Sequence, residues 1–495
     1  MVIIDKRLNE SDRGLSDLCR LARWKRSKQG RIPSGTSCSL LAVKNTLPHY
    51  PQIANPKRYL DSAEAEGRKL FPYYAGFSDA FVESTLESIC LPNNAKIFDP
   101  WNGSGTTTTT ALKRGFEAVG SDLNPAMILV AKASLVSSLE LENLLPIAHS
   151  VIKSQSPASK KSETDPLCNW FDPQSALAIR TIESSINRTL VSPSTYLELS
   201  TAEALDKVTP IAALFYLALF RVTRRLTQNF VASNPTWIKV PKNAADKKHV
   251  TTQCVTSLFT KEIELLLSQY KKRLFASKVD PNRLNLILSN AENLPLSTDS
   301  IDAVITSPPY CTRIDYAIAT YIELAVIGIG GVQFKQLRRS LTGSSTVQKS
   351  NIEIRAEWGR ECKFFLDALR EHPSKASQTY YLKNHLQYFD SLYKSLSEIS
   401  RVLKPEAPCI IVVQNSYYKE IRNDVALIIS EMAESLSLKP THRADFSSSR
   451  SMVDMNTNSK KYIAKRSTIE SVLFFNKKTT FNLQPSLDSQ PYTAT

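Results

Sequence analysis

Ile301-Asp302-Ala303-Val304-Ile305-Thr306-Ser307-Pro308-Pro309-Tyr310 is a short apolar run that stops on two prolines and a tyrosine. Ile301, Ala303, Val304 and Ile305 suit an inner parallel strand covered on both faces. Pro308 and Pro309 have no N–H to continue a ladder, and their rings fix φ. The strand therefore ends in a stiff tip with carbonyls available as acceptors, at the end of the strand where α/β folds bind ligands. Ser307 to Tyr310 offers a rigid acceptor pair beside one aromatic plate, which suits a planar ring carrying an amino group. Alone, the stretch reads better as an ordinary strand-ending turn. A second stretch upstream decides between the two.

That stretch is Phe98-Asp99-Pro100-Trp101-Asn102-Gly103-Ser104-Gly105-Thr106-Thr107. It follows a short strand at Ala95 to Phe98 and precedes a helical run through Lys113. Gly103 and Gly105 permit positive φ and close approach of backbone to a ligand, and the helix amides beyond them can meet a carboxylate or phosphate. No Gly-Lys-Ser/Thr follows, so this is not a P-loop, and the third glycine of the dinucleotide fingerprint is missing. Glu117 to Ser121 reads as the next strand and ends in Asp122. An acidic side chain there binds ribose hydroxyls in Rossmann-like units, which points to an adenosine-bearing ligand.

Asp99-Pro100-x-x-Gly103-Ser104-Gly105-Thr106 together with Ser307-Pro308-Pro309-Tyr310 resembles the paired motifs of the S-adenosylmethionine-dependent amino-methyltransferases of DNA. These enzymes modify the exocyclic nitrogen of cytosine or adenine. The resemblance covers roughly residues 70–135 and 281–480, and the pairing is far more specific than either motif alone. Serine in first place, rather than aspartate or asparagine, is more similar to the cytosine-N4 enzymes than to the adenine-N6 enzymes. The resemblance implies a Rossmann-like class I methyltransferase fold, α/β, with a mostly parallel sheet closed by a C-terminal antiparallel hairpin. It implies S-adenosylmethionine as cofactor, held by Phe98, Asp99, Pro100, Gly103, Gly105, Thr106 and Asp122. By the same resemblance Phe77 packs on the methionine end, and Asn290 lies near the adenine with Glu292 as the alternative. Relatives carry an acidic residue there, so Asn290 is a departure.

The chain has 495 residues, enough for two or three domains with a sizeable core. Lysine and arginine number 62 against 47 acidic residues, and the excess of 15 positive charges attracts polyanions. Eight cysteines occur singly, with no Cys-x-x-Cys and no paired histidines, so neither a disulfide framework nor a metal site is expected. No leader and no long apolar run is found, and a cytoplasmic protein without a membrane partner is expected.

Along the chain, residues 1–45 carry the basic run Arg20, Arg23, Lys25, Arg26, Lys28 and Arg31, a DNA-contacting arm or a solvated extension. Residues 46–136 and 281–478 form the expected catalytic domain, with a helix starting near Ser78. Residues 137–280 read as a helical insert that could serve target recognition. From Lys207 to Lys278 it holds thirteen basic residues against three acidic ones. Arg221, Arg224 and Arg225 fall on or near one helical face, and Trp237 and Lys239 sit in a loop. These residues are expected to grip double-stranded DNA. Arg338 and Arg339 are assigned the same role, within a segment at 333–375 expected to be a mobile loop. Tyr381 to Leu403 has helical periodicity, Cys409 to Val413 is a buried strand, and 422–436 is a helix. His442 to Phe446 and Thr468 to Phe475 supply the closing hairpin. Residues 479–495 have no periodicity and are expected to fray.

The expected chemistry follows from the weak nucleophilicity of an exocyclic amine whose lone pair is spread into the ring. The Ser307 hydroxyl and the Pro308 carbonyl accept the amino hydrogens, favouring the tetrahedral nitrogen of the transition state, while Tyr310 stacks on the base and Pro309 stiffens the tip. A base inside a duplex cannot reach such a pocket, so base flipping is implied. Competing readings are adenine-N6 methylation, an RNA or protein amide methyltransferase, and a non-catalytic nucleic-acid-binding subunit. The target sequence, and any separate restriction or defence partner, are not legible.

Overall fold

The computed structural model describes residues 52–57, 70–72, 76–155, 164–232, 234, 236–274, 280–311, 314–347, 351–448 and 468–479. The basic run at 20–31 and most of the 479–495 tail lie outside them. Strands β1 (Lys96–Asp99), β2 (Glu117–Asp122), β3 (Leu284–Leu288), β4 (Ala303–Thr306) and β5 (Pro408–Gln414) pair in parallel in the order β3-β2-β1-β4-β5. A small hairpin, β6 (Ser416–Tyr418) with β7 (Ile421–Asn423), follows β5. β8 (Leu438–Ser448) and β9 (Thr468–Lys477) then close the main sheet, β9 antiparallel to both β5 and β8. The expected Rossmann-like sheet with its antiparallel closing hairpin is therefore present. Its order reverses between β1 and β4, the switch point where an open α/β sheet leaves a crevice.

Strand alternation sends side chains to two buried layers. Ile97, Ile305, Ile410, Val412 and Phe474 face one layer, with helix α1 (Asp79–Ser88) and α2 (Thr106–Lys113). Phe98, Val304, Ile411, Val413 and Phe475 face the other. Helices Gly359–Glu371, Leu382–Val402 and Val425–Ser435 cover that face. Ser78 caps α1 by accepting from the Phe81 N–H, as its position before the apolar run predicts. β4 is shorter than the apolar run suggests, because the Ile301 N–H goes to Val402 and Ile301 makes only an isolated bridge to Leu403.

Helix α3 (Pro125–Ala133) follows β2 and is buried almost throughout. Its cover comes from the 137–280 segment. Pro210–Leu226, whose residues 212–220 are all buried, packs on α3 and on Tyr321–Val326 in one continuous apolar core. A helix apolar on all sides must be enclosed, so this segment shares one core with helix α3 and the β3 edge of the sheet. The segment expected to be a mobile loop at 333–375 is corrected as well. Gly331–Ser340 and Gly359–Glu371 are helices, seated by buried Phe334 and by Cys362, Phe365, Leu366 and Leu369.

Candidate active site

The glycine loop is built outward from Asp99 at the end of β1. Its carboxylate is buried and accepts from Thr306 Oγ1 at 2.6 Å, Thr107 Oγ1 at 2.7 Å and the Trp101 N–H at 3.1 Å. One side chain thereby ties β1, β4 and α2 together beneath the loop. Burial raises its pKa to about 6, against the lowering effect of those three hydrogen bonds. Gly105 caps α2 in the left-handed region, φ 82°. A Cβ there would stand 3.2 Å from that of Ala131, so the glycine also permits α2 to approach α3.

Asp122, at the end of β2, accepts from the Gly103 N–H at 2.9 Å and the Asn124 N–H at 2.8 Å. Its pKa is also raised to about 6, chiefly by burial, with the nearby Asp99 adding to the rise. Asn124 caps α3 and donates to Thr320 at 2.7 Å. Above these groups opens a cleft shared by the glycine loop and the Ser307 tip.

Eight of the residues expected at the site line this one cleft: Phe77, Asp99, Pro100, Thr106, Asp122, Asn290, Ser307 and Pro309. The rest are elsewhere. Phe98 is fully buried beneath the sheet and touches core rather than ligand. Gly103 and Gly105 shape the loop through backbone. Glu292 turns away, accepting from Ser391 Oγ at 2.5 Å, which leaves Asn290 as the residue facing the cleft. Pro308 is buried, and Tyr310 points across β5, its hydroxyl donating to Glu470 at 3.4 Å.

The tip itself is clamped on three sides. The Tyr310 N–H donates to the Tyr316 hydroxyl at 3.1 Å, and Tyr388 donates to the Pro309 carbonyl at 3.0 Å. Burial pushes both phenol pKa values upward, so each stays a neutral hydrogen-bonding group. Gly343, at φ 78°, lies so close that a Cβ would come within 2.9 Å of the Tyr310 carbonyl. From sequence Tyr388 carries no signal, and Gly343 reads only as part of the 333–375 loop. Nor does the sequence single out Trp101, Asn102, Thr236 and Leu341, which line the cleft. For Trp101 and Asn102 the signal was available, since both lie inside the quoted glycine loop.

The basic residues assigned to a nucleic-acid grip divide. Arg221 pairs with Glu262 at 2.8 Å. Arg224 pairs with the wholly buried Glu323 at 2.7 Å, donates to the Ala319 carbonyl and lies over the Phe71 ring. Arg338 pairs with buried Asp315 at 2.8 Å. Those three are internal ties, because each meets a carboxylate from another helix or loop. Arg225, Lys239 and Arg339 are exposed, and Trp237 is 39% exposed beside Thr236, itself part of the cleft wall.

An S-adenosyl group is compatible with these walls. Phe77 and Leu341 give apolar surface, Asp122 a carboxyl and Asn290 an amide, while Asn102 Nδ2 is buried without a partner. Among the described residues there is no group of three or more potential metal ligands, and no helix long and apolar enough to cross a membrane.

No protein-family model matches the chain. It is similar to the Type II methyltransferase M.BsoBI of Geobacillus stearothermophilus, 24% identical over 79% of this chain and 86% of the relative. M.MvaI of Kocuria varians is 25% identical, over 71% and 76%. M.AvaI of a Nostoc species is 25% identical, over 74% and 78%. Among solved structures it is similar to a SAM-dependent methyltransferase of Methanosarcina mazei. That match has 8% identity and a TM-score of 0.28, and covers 79% of this chain and 95% of that one.

Proposed function

We propose that the chain is an S-adenosylmethionine-dependent DNA methyltransferase acting on an exocyclic base amine, and that the amine is N4 of cytosine. The observation that carries the reading is the meeting of Ser307 with Asp99, Asp122 and Asn290 around a single cleft at the sheet's switch point. The named relatives, all Type II methyltransferases, support the same reaction class. When bound, S-adenosylmethionine supplies a sulfonium methyl as the electrophile.

The chain's own residues do the rest. Asp122 takes the ribose hydroxyls and Asn290 the adenine, while Phe77 closes the apolar end. The Ser307 hydroxyl and the Pro308 carbonyl accept the two amino hydrogens of the flipped base. Tyr388 donates to the Pro309 carbonyl and so holds the tip in place beside the Pro308 acceptor. The clamp on Tyr310 fixes the aromatic plate and hence the approach of the amine, the geometry on which in-line transfer depends. Ser307 is not a general base at neutral pH, and the surplus proton leaves after transfer. Outside the cleft, Arg225, Trp237, Lys239 and Arg339 face solvent and are placed to meet backbone phosphates and bases.

The test is mass spectrometry of nucleosides from DNA and RNA incubated with the protein and labelled S-adenosylmethionine. Labelled N4-methylcytosine in DNA is expected, with Ser307→Ala reducing turnover by about 10² or more, the scale of one lost transition-state hydrogen bond. Label in adenine would replace the base assignment, and label in RNA alone would replace the substrate.

A further inference from the structure

Glu470 is a carboxyl the mechanism above leaves unused. It lies on β9, opposite Gln414 of β5 and Phe446 of β8, at the edge of the sheet where β4 runs into the Ser307–Tyr310 tip. It is only 5% exposed. Oε1 accepts from the Tyr310 hydroxyl at 3.4 Å, while Oε2 is buried with no hydrogen-bond partner. A buried, unpartnered carboxyl oxygen costs free energy in the resting protein. Its position beside the aromatic plate names what could satisfy it.

We propose that Glu470 is a positioning and base-reading residue of the target-base pocket. It holds the Tyr310 ring by its hydroxyl and offers Oε2 to the ring nitrogen next to the amine being methylated. This rests on the base-methylation reading above.

Desolvation raises the Glu470 pKa against the lowering effects of Lys57 and the Tyr310 hydrogen bond, and the role proposed for Oε2 is that of the neutral acid. A neutral carboxyl accepts at one oxygen and donates from the other. Tyr310 uses the accepting oxygen, and the donating one faces N3 of cytosine, or N1 of adenine. Both are acceptors bonded to the carbon that carries the amine. Thymine presents an N–H at that position and would be refused by the same group, which makes the contact one of specificity as well as placement.

Glutamine mimics the neutral acid, with a carbonyl for Tyr310 and an amide N–H for the ring nitrogen. The experiment compares wild type, Glu470→Ala and Glu470→Gln in single-turnover methyl transfer to DNA, at saturating DNA and S-adenosylmethionine. Cofactor affinity is measured beside it as the check of folding. Glu470→Ala is expected to lose about 10- to 100-fold in rate with cofactor affinity kept, the scale of one buried hydrogen bond and the partner it strands. Glu470→Gln is expected to restore most of that loss. DNA carrying a 3-deaza base at the methylated position should slow wild type as much as Glu470→Ala does, and combining the two should add little.

A Glu470→Ala rate equal to wild type would overturn the inference. A Glu470→Gln variant as slow as Glu470→Ala would also overturn it, because the ionised carboxylate would then be the form required. Wild type that binds cofactor and labels no base would instead overturn the base-methylation reading, and the inference with it.

Discussion

Thr306 Oγ1 donates to Asp99 Oδ1 at 2.6 Å, joining the last residue of β4 to the last residue of β1 across the sheet's switch point. The Asp99 carboxylate carries the glycine loop, and Thr306 immediately precedes Ser307, so one bond sets the distance between the two halves of the site. Thr306→Val keeps the shape and removes the donor. The expected cost is about 1–3 kcal/mol, the range for stranding a buried polar partner, read as a lower urea midpoint. S-adenosylmethionine affinity should fall with it. An unchanged midpoint would mean that the two strand ends are held together by other contacts.

Stability should also depend on pH through the same carboxyl. Asp99 and Asp122 are both raised from 3.8 to about 6 in the folded chain. In the interval between those values the native state binds protons that the unfolded chain does not. These groups therefore stabilise fully below the unfolded pKa, and that contribution is lost as pH rises through the folded value of about 6. Denaturation midpoints should fall as pH rises from about 4 to about 6 and level off above that. Asp99→Asn should reduce the fall without abolishing it, since Asp122 titrates in the same window. A fall of undiminished size would place the titrating groups elsewhere.

Strands and loop were legible because their signals are local. Short apolar runs marked the strands, the two prolines marked a strand end, and the glycine loop stood between a strand and a helix. What closed over them was not. Arg224 meets Glu323 99 residues away, and nothing about an arginine at helical spacing says whether it will find a carboxylate or water. The tip is held by Tyr388, 79 residues downstream, and its tyrosine reaches Glu470, 160 residues downstream. Those distances are set by how helix Leu382–Val402 and β9 pack on the sheet, and no pattern near Tyr310 reports it. Asn290 and Glu292 are two positions apart, and only the turn after β3 separates their directions.

Arg224 and Arg225 are neighbours in sequence with opposite expected phenotypes. Arg224→Met leaves Glu323 buried and without its charge partner, and a loss of about 3–5 kcal/mol is expected. Arg225 is 58% exposed and 3.9 Å from Glu262, so Arg225→Ala should change stability by no more than about 0.5 kcal/mol. Its effect should instead be on binding, with lower DNA affinity and a salt dependence shallower by about one unit of slope. Urea unfolding beside DNA titrations at two salt concentrations separates the two. Equal stability losses would mean that Arg225 is tied as firmly as its neighbour.

Gly120 is pressed against the cleft wall from behind. A Cβ on it would stand 2.6 Å from Asn102 Cγ, closer than packed atoms approach. The Asn102 carboxamide accepts from Thr108 Oγ1 at 2.9 Å and is backed by β2, so it can yield only toward the cleft. Overpacking of this kind costs about 1–3 kcal/mol. Because the displaced group lines the cleft, Gly120→Ala should reduce S-adenosylmethionine affinity by about 5- to 100-fold, the same free energy read as binding. Asn102→Ala alone should cost less, since it removes a side chain without filling the cleft. The double variant Gly120→Ala, Asn102→Ala should then bind cofactor more tightly than Gly120→Ala alone, because the clash has been removed. Calorimetric titration of the three variants measures this coupling directly. Strictly additive losses would mean that the methyl is accommodated by movement of β2, and that Gly120 is present for the strand rather than for the site.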